Sequence, residues 1–243
     1  MIKEGFMIKI FLPLLLSSIL SFGGDFEEAV NAQERADYEK AVKFYTIASK
    51  KGISEAQFNL GLMYFTGEGV AQDKIKAIEL YTLAAEQGDA EAQNNLGYIY
   101  RDENELRDYK KAINYFSLAI EKGIPQSYHG LAGMYRKGQG VEKDYKKAID
   151  HYTFAMNKGY SASQYKLGLM YREGQGVPQD YKKAIELLKL AANQELPQAQ
   201  ASLGNMYYQG KGVEPNLDLA KKWFIKACNN GLVAACNRYK TLK

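Results

Sequence analysis

A tyrosine returns at nearly constant spacing along most of the chain, and this periodicity constrains the fold more than any other feature. The spacings are 36, 35, 36 and 36 residues, between Tyr64, Tyr100, Tyr135, Tyr171 and Tyr207. A Leu lies four residues before each tyrosine and is followed by Gly or Ala, and another small residue lies four positions before the Leu. Residues spaced by four and eight share one face of a helix. The pattern therefore predicts one helix per repeat with a buried stripe.

A second helix is predicted in each repeat from a stripe of alanines. Two alanines seven residues apart enclose a bulky side chain in all six copies, which start at Ala41, Ala77, Ala112, Ala148, Ala184 and Ala220. We expect the bulky side chain to fill the space left by the small residues of the neighbouring helix. The glycines that follow these helices suit the positive φ of a helix C-cap: Gly52, Gly88, Gly123 and Gly159.

The connection between the two helices also repeats. It contains Gly-x-Gly-Val at 67–70, 138–141, 174–177 and 210–213. The first Gly is expected to end the helix and the second to permit a tight turn. Residues 101–107 lack this loop and are one residue short, so the turn there must differ.

Three motifs recur in the repeat: A-x-x-x-L-G-x-M-Y in the first helix, then G-x-G-V, then Asp-x-x-Lys-Ala at the start of the second helix. With these motifs the repeat resembles the Sel1-like repeat, a relative of the tetratricopeptide repeat. Asp144–Ala148 and Asp180–Ala184 carry the last motif. The resemblance covers residues 25–243 and implies an all-α, right-handed α-solenoid of about six antiparallel helix pairs. The expected units lie near 25–52, 53–88, 89–123, 124–159, 160–195 and 196–231, with a capping helix at 232–243.

The first 23 residues are predicted to be a signal peptide. Lys3 and Lys9 supply positive charge before an apolar run that is short for a membrane span, and Ser21-Phe22-Gly23 suits a signal peptidase. An uncleaved anchor is the alternative, and Met7 is an alternative start. The solenoid is then 24–243, a secreted or periplasmic monomer without stable membrane insertion. Cleavage lowers the net charge from +4 to +3, which does not favour nucleic acid as a partner.

The two cysteines, Cys228 and Cys236, lie on either side of the turn at Gly231. Antiparallel helices would bring them together, and an exported protein meets oxidising conditions, so a disulfide is expected. The spacing C-x7-C is similar to that of the secreted cysteine-rich Sel1-repeat proteins, the Hcp family, although here one repeat carries it. That resemblance implies β-lactam binding or β-lactamase activity as an alternative function.

The residues themselves give little support to catalysis. Ser163 and Lys166 form an S-x-x-K pair, but Ser163 occupies the small-residue position of the repeat, and no S-D-N or K-T-G follows. The histidines, His129 and His151, cannot make a zinc site alone, and His151 replaces apolar residues of other repeats. We therefore expect no catalytic residues, no metal and no cofactor.

A partner site is predicted from positions that vary between repeats on one face of the first helices, which line the concave side in tetratricopeptide-like stacks. The candidates are Phe58, Leu62, Phe65, Asn94, Tyr98, Arg101, His129, Arg136, Tyr165, Leu169, Arg172, Asn205 and Tyr208. Arg101, Arg136 and Arg172 form a ladder, and Arg grips carboxylates with two parallel hydrogen bonds. The alternative is that these arginines pair with neighbours such as Asp102 and Glu173.

The sequence thus favours an exported protein-binding scaffold over an enzyme. Its partner would be a protein or peptide that is acidic or has a free C-terminal carboxylate. Two alternatives remain: the β-lactam function, and an adaptor that binds cell-wall glycan through its tyrosines.

Overall fold

The computed structural model describes residues 24–242, and the predicted signal peptide at 1–23 lies outside them. The described chain forms two compact units, 24–124 and 125–242, called here the N-terminal unit and the C-terminal unit. No strand occurs between residues 24 and 242. No helix in this range combines the length and the hydropathy that crossing a membrane requires.

The N-terminal unit consists of helical hairpins. Its helices are α1 (Gly24–Glu34), α2 (Tyr38–Lys50), α3 (Ser54–Thr66), α4 (Lys74–Glu86), α5 (Ala90–Asp102) and α6 (Tyr109–Glu121), with a short 3₁₀ helix at Asn104–Leu106 before α6. Each odd-numbered helix packs on the next helix, and α2 and α4 also pack on the hairpin that follows. The unit is therefore a stack in which contacts join neighbours.

The C-terminal unit repeats the same arrangement and adds one helix. Its helices are α7 (Pro125–Lys137), α8 (Tyr145–Asn157), α9 (Ser161–Glu173), α10 (Tyr181–Asn193), α11 (Pro197–Gln209), α12 (Leu217–Asn229) and α13 (Val233–Thr241). Helix α13 packs on α12 after the last hairpin. The predicted fold class, an all-α solenoid of helix pairs with a final capping helix, is confirmed.

Small residues and rings interlock inside each hairpin, as the periodicity predicts. A Cβ built on Gly97 would lie 2.5 Å from Cδ1 of Phe116, and one on Gly61 would lie 3.0 Å from Cδ1 of Tyr81. Ala77 and Ala84, on either side of Tyr81, are completely buried. Close packing of this kind leaves no room for a larger side chain on the first helix.

The structure explains why both positions of the Gly-x-Gly-Val loop are glycine. Gly67 ends α3 in the left-handed region, with φ 80°, and its N–H donates to the Met63 carbonyl. Gly69 also has a positive φ, and a Cβ there would lie 2.5 Å from the carbonyl of Tyr38, at the start of α2. The loop thus lies flat against the previous hairpin.

The one irregular loop closes as the regular loops do. In the five repeats that carry the recurrent tyrosine, the residue that caps the second helix donates its backbone N–H to the carbonyl of that tyrosine, at 2.8–2.9 Å, and Asp108 and Tyr100 keep this bond across the shortened loop. The cap side chains then accept from the helix, as Asp108 does from the Lys111 N–H. The prediction of a different turn is confirmed, because a 3₁₀ helix replaces the glycine loop.

Candidate functional site

Three of the predicted partner-binding residues in the N-terminal unit are buried rather than open to solvent. They are Phe65, Asn94 and Tyr98. The ring of Tyr98 packs edge-on against Phe116, with centroids 5.0 Å apart. The assumption that a varying position faces solvent is wrong here, because the varying side chain packs against the second helix. Phe58 and Leu62 are half-buried.

Arg101 pairs with the neighbouring Asp102, as the alternative interpretation of the arginine ladder expects. Its Nε and Nη2 atoms donate to the two carboxylate oxygens of Asp102, at 2.8 and 2.7 Å. Its guanidinium lies 4.6 Å from the centroid of the Tyr98 ring. The charge of this arginine is therefore already neutralised and its plane already stacked.

His129, in the C-terminal unit, is also buried. Its Nδ1 atom lies 2.9 Å from the Ser163 hydroxyl, and its ring lies between Tyr152 and Tyr160, with centroids 5.1 and 5.2 Å away. The prediction of a partner-facing side chain is incorrect for this residue as well. Ser163 is itself completely buried, so its hydroxyl holds α7 and α9 together.

The other predicted positions of the C-terminal unit keep some exposure. Arg136, Tyr165, Leu169, Arg172 and Asn205 are half-buried, and Tyr208 is 42% exposed. They occupy matching positions of α7, α9 and α11, so they form rows across three hairpins.

The two arginines of this unit differ in their partners. Arg172 donates to Glu173 at 2.6 Å. Arg136 is followed by Lys137 instead of an acid, and it forms no ion pair with any residue between 24 and 242. Its Nε atom is buried with no hydrogen-bond acceptor. An unsatisfied buried donor is costly, and Arg136, unlike Arg172, has no carboxylate in the described part of the chain to compensate its charge.

A further cation that sequence reasoning missed lies at the end of these rows. The guanidinium of Arg238, on α13, lies 4.9 Å from the centroid of the Tyr208 ring. It makes no ion pair within the part of the chain that the structure describes. Arg238 is absent from the repeat pattern because α13 follows the last hairpin, so periodicity could not reveal it.

The charge of the two units is opposite. Residues 24–124 contain 12 Lys and Arg against 18 Asp and Glu, a net charge of −6. Residues 125–242 contain 17 Lys and Arg against 9 Asp and Glu, a net charge of +8. The small net charge of the whole chain is therefore the sum of two larger charges of opposite sign. The acidic N-terminal unit attracts cationic partners, and the basic C-terminal unit attracts anionic ones.

The cysteines form the expected disulfide. Cys228 on α12 and Cys236 on α13 are bonded, with Cα atoms 4.7 Å apart. No cluster of three or more His, Cys, Asp or Glu side chains suited to a metal ion occurs among residues 24–242.

The architecture defines a class, the helical-repeat proteins built from hairpins of about 36 residues. Within that class the Sel1 repeat model matches residues 32–53, 54–89, 90–124, 125–160, 161–196 and 197–232. The chain belongs to the Sel1-repeat family. Repeats of this family generally serve as scaffolds for protein–protein interaction.

Two solved structures, the first two described here, agree with this assignment. A Sel1 repeat protein from Oxalobacter formigenes is 31% identical, with 86% of each chain covered and a TM-score of 0.80. A protective antigen, c5321, from uropathogenic Escherichia coli is 32% identical, with 87% of this chain and 47% of that chain covered and a TM-score of 0.72. The cysteine-rich protein HcpB from Helicobacter pylori is 26% identical over 53% of this chain and 92% of its own, with a TM-score of 0.43. No curated protein matches the chain.

Proposed function

We propose that the chain is an exported scaffold that binds an acidic segment of a partner protein on the first-helix face of its C-terminal unit. The partner's carboxylate would lie against Arg136 on α7. The partner residues that follow it would contact the matching positions of α9 and α11. This assigns the binding role to the basic unit rather than to a ladder of three equivalent arginines.

Arg136 is the observation that carries the proposal. Its guanidinium is half-buried, it has no carboxylate within the described chain, and its Nε lacks an acceptor. A partner carboxylate would pair with the guanidinium of this half-buried side chain through a charge-assisted hydrogen bond, which is stronger than a neutral one. Arg101 and Arg172 would first have to release Asp102 and Glu173.

The surroundings of Arg136 suit a peptide. Tyr165 and Tyr208 offer ring surface in the matching rows, and tyrosine and arginine are the side chains that most often anchor interfaces. The net charge of +8 attracts an acidic chain from a distance and raises its association rate at low salt.

The β-lactam alternative receives no support from the serine that suggested it. Ser163 has no solvent exposure and its hydroxyl contacts His129. A serine nucleophile must reach its substrate, and this one lies inside the hairpin stack.

A peptide selection tests the proposal. A random library of displayed 12-residue peptides is selected on the immobilised protein, and the enriched peptides are measured by fluorescence anisotropy. We expect enriched sequences rich in Asp and Glu whose affinity falls at least tenfold in Arg136→Gln. Lys189→Gln, an exposed lysine on α10, removes the same charge elsewhere and should change affinity less than twofold. Equal loss in both variants, or no acidic preference, would overturn the proposal.

Export is the second part of the proposal. The pattern of residues 1–23 supports it, and so does the Cys228–Cys236 disulfide, because such bonds persist in oxidising compartments. Fractionation of the source cell, with N-terminal sequencing of the recovered protein, tests it. Recovery from the cytoplasm with residues 1–23 retained would contradict this part and leave the binding part standing.

A further inference from the structure

A second surface lies where the repeat is broken, in the N-terminal unit. Two departures from the pattern occur close together there. The loop 103–108 lacks Gly-x-Gly-Val and contains a 3₁₀ helix at Asn104–Leu106. The second residue of α4 is Ile75, whereas the matching residues of the other second helices are charged: Glu39, Lys110, Lys146, Lys182 and Asp218. Packing inside the hairpin does not require Ile75, since 59% of its surface is exposed.

The two departures form one cleft of about 780 Å³. Ile75, Ile78 and Leu83 of α4 form one wall, and Tyr100 with Leu106 of the irregular loop form the other. Leu83 is 46% exposed. The cleft is wide open to solvent, and its walls offer mainly apolar surface. Exposed apolar residues that gather in a concave place are typical of an interaction site.

The wall that contains Tyr100 is held in place. Tyr100 stacks on Tyr115 with the ring centroids 5.8 Å apart and the planes 3° from parallel. The Nζ atom of Lys111 lies 5.0 Å from the centroid of the Tyr100 ring. This wall is therefore preformed, which reduces the entropy lost when a ligand binds.

The charged residues that line the cleft give the sign of the ligand. They are Glu79, Glu105 and Asp108 against Arg107 and Lys111. Glu79 pairs with Lys76 at 2.7 Å, and Asp108 caps α6. Glu105 has no hydrogen bond or ion pair with the residues that the structure describes, and the whole unit carries −6. A cationic ligand is the complementary one.

We infer that this cleft binds a basic amphipathic peptide of a partner protein, with aliphatic side chains against Ile75 and Leu83 and a Lys or Arg beside Glu105. The site is separate from the acidic-peptide surface of the C-terminal unit. The chain would thus hold two partners of opposite charge, one on each unit.

Three labelled 14-residue peptides test the inference by fluorescence anisotropy: an amphipathic Lys/Leu peptide, a Glu/Leu peptide of the same pattern, and a Lys/Ala peptide. We expect the Lys/Leu peptide to bind at least tenfold more tightly than either of the others. Comparable binding of the Glu/Leu peptide would contradict the charge assignment, and comparable binding of the Lys/Ala peptide would contradict the role of the apolar walls.

Variants then place the binding in the cleft. Ile75→Lys introduces the residue that three other repeats carry at this position, so it should fold, and it should weaken the Lys/Leu peptide at least tenfold. Leu118→Lys adds the same charge to an exposed position of α6 outside the cleft and should change affinity less than threefold. Glu105→Gln should weaken binding about threefold and reduce its salt dependence. Equal effects of Ile75→Lys and Leu118→Lys would overturn the inference. Arg136→Gln should leave the Lys/Leu peptide unaffected, so failure here is distinguishable from failure of the proposed function.

Discussion

The two compact units contain the same hairpin but differ on their surfaces. The N-terminal unit carries −6, contains the irregular loop and has neither histidine nor cysteine; the C-terminal unit carries +8 and contains both histidines and both cysteines. Inside the hairpins the two units match, with the same buried alanines, the same cap and the same loop closure. The difference teaches that packing constrains the buried face of a repeat and leaves the charge of the outer face free to diverge between units.

Removal of the disulfide is expected to have the largest effect, and to destabilise the C-terminal unit alone. Replacing Cys228 and Cys236 with Ala should lower the free energy of unfolding of the C-terminal unit by about 2–3 kcal/mol, because a cross-link restricts the unfolded chain around a short loop. Urea denaturation with and without reductant measures it. The N-terminal unit should be insensitive to reductant, and a matching loss there would contradict the assignment of the effect to α12 and α13.

Glycine substitutions compare the tightness of the two units. Gly97→Ala should cost about 2 kcal/mol, since its Cβ would lie 2.5 Å from the Phe116 ring. Gly168→Ala should cost less than about 1 kcal/mol, because the contact is with the flexible Leu188 side chain at 3.0 Å and Ala is the better helix former. Thermal and urea unfolding of both variants give the comparison. Equal costs would show that Phe116 moves as easily as Leu188.

A residue in the C-terminal unit departs from its own repeat and offers a gain in stability. Glu195 follows α10 with φ 61°, whereas Gly159 and Gly231 occupy the matching places with φ 83° and 89°. Glu195→Gly should stabilise the unit by about 1 kcal/mol, because a side chain at positive φ is strained. The denaturation midpoint measures it, and Glu195→Ala serves as a control that should bring no such gain.

The smallest expected effect is a pH dependence confined to the C-terminal unit. Burial lowers the pKa of His151 below its ordinary value of 6.5, and nearby Lys147 lowers it further against the opposing charge of Asp150. The unfolded state then binds more protons, so this residue's contribution to stability falls as the pH drops through 6.5 towards the lower native pKa.

His151→Leu should remove that part of the pH dependence between pH 7 and pH 5. Leu80 and Leu187 occupy the matching position in other repeats, so Leu should be accommodated. Melting temperatures of wild type and variant across this range test the sign. A wild-type stability that rises on acidification, or an unchanged slope in the variant, would contradict it.

Most of the fold could be predicted from the sequence because packing in a repeat protein is local. The position of Gly97 against Phe116 and the capping role of Asp108 both follow from contacts between nearby residues that recur in every copy. Buried glutamines were missed: Gln87 donates to Gln57 at 2.7 Å and Gln194 to Gln164 at 2.9 Å, each across 30 residues. Their recurrence beside the small residue was visible and could have indicated a shared polar contact.

The candidate site was predicted less well, because variation between repeats does not measure exposure. Tyr98 and His129 occupy repeat positions whose residue type differs between copies, and both side chains are nevertheless buried. Tyr98 packs against Phe116, and His129 contacts Ser163. The pairing of Arg101 and Arg172 with the next residue was foreseen as an alternative. The isolation of Arg136 depends on Lys137, a residue that the repeat pattern gave no reason to weigh.

The bond from the cap N–H to the tyrosine carbonyl has a consequence for how such a chain can grow. Because Asp108 reaches Tyr100 across a shortened loop as Asp144 reaches Tyr135 across a full one, the two ends of the loop meet with the same geometry whatever lies between them. A gene that gains or loses one whole hairpin by recombination between copies would rejoin at an equivalent junction. Such a change in repeat number would keep the closure of each remaining hairpin, and a new outer face would be added one hairpin at a time.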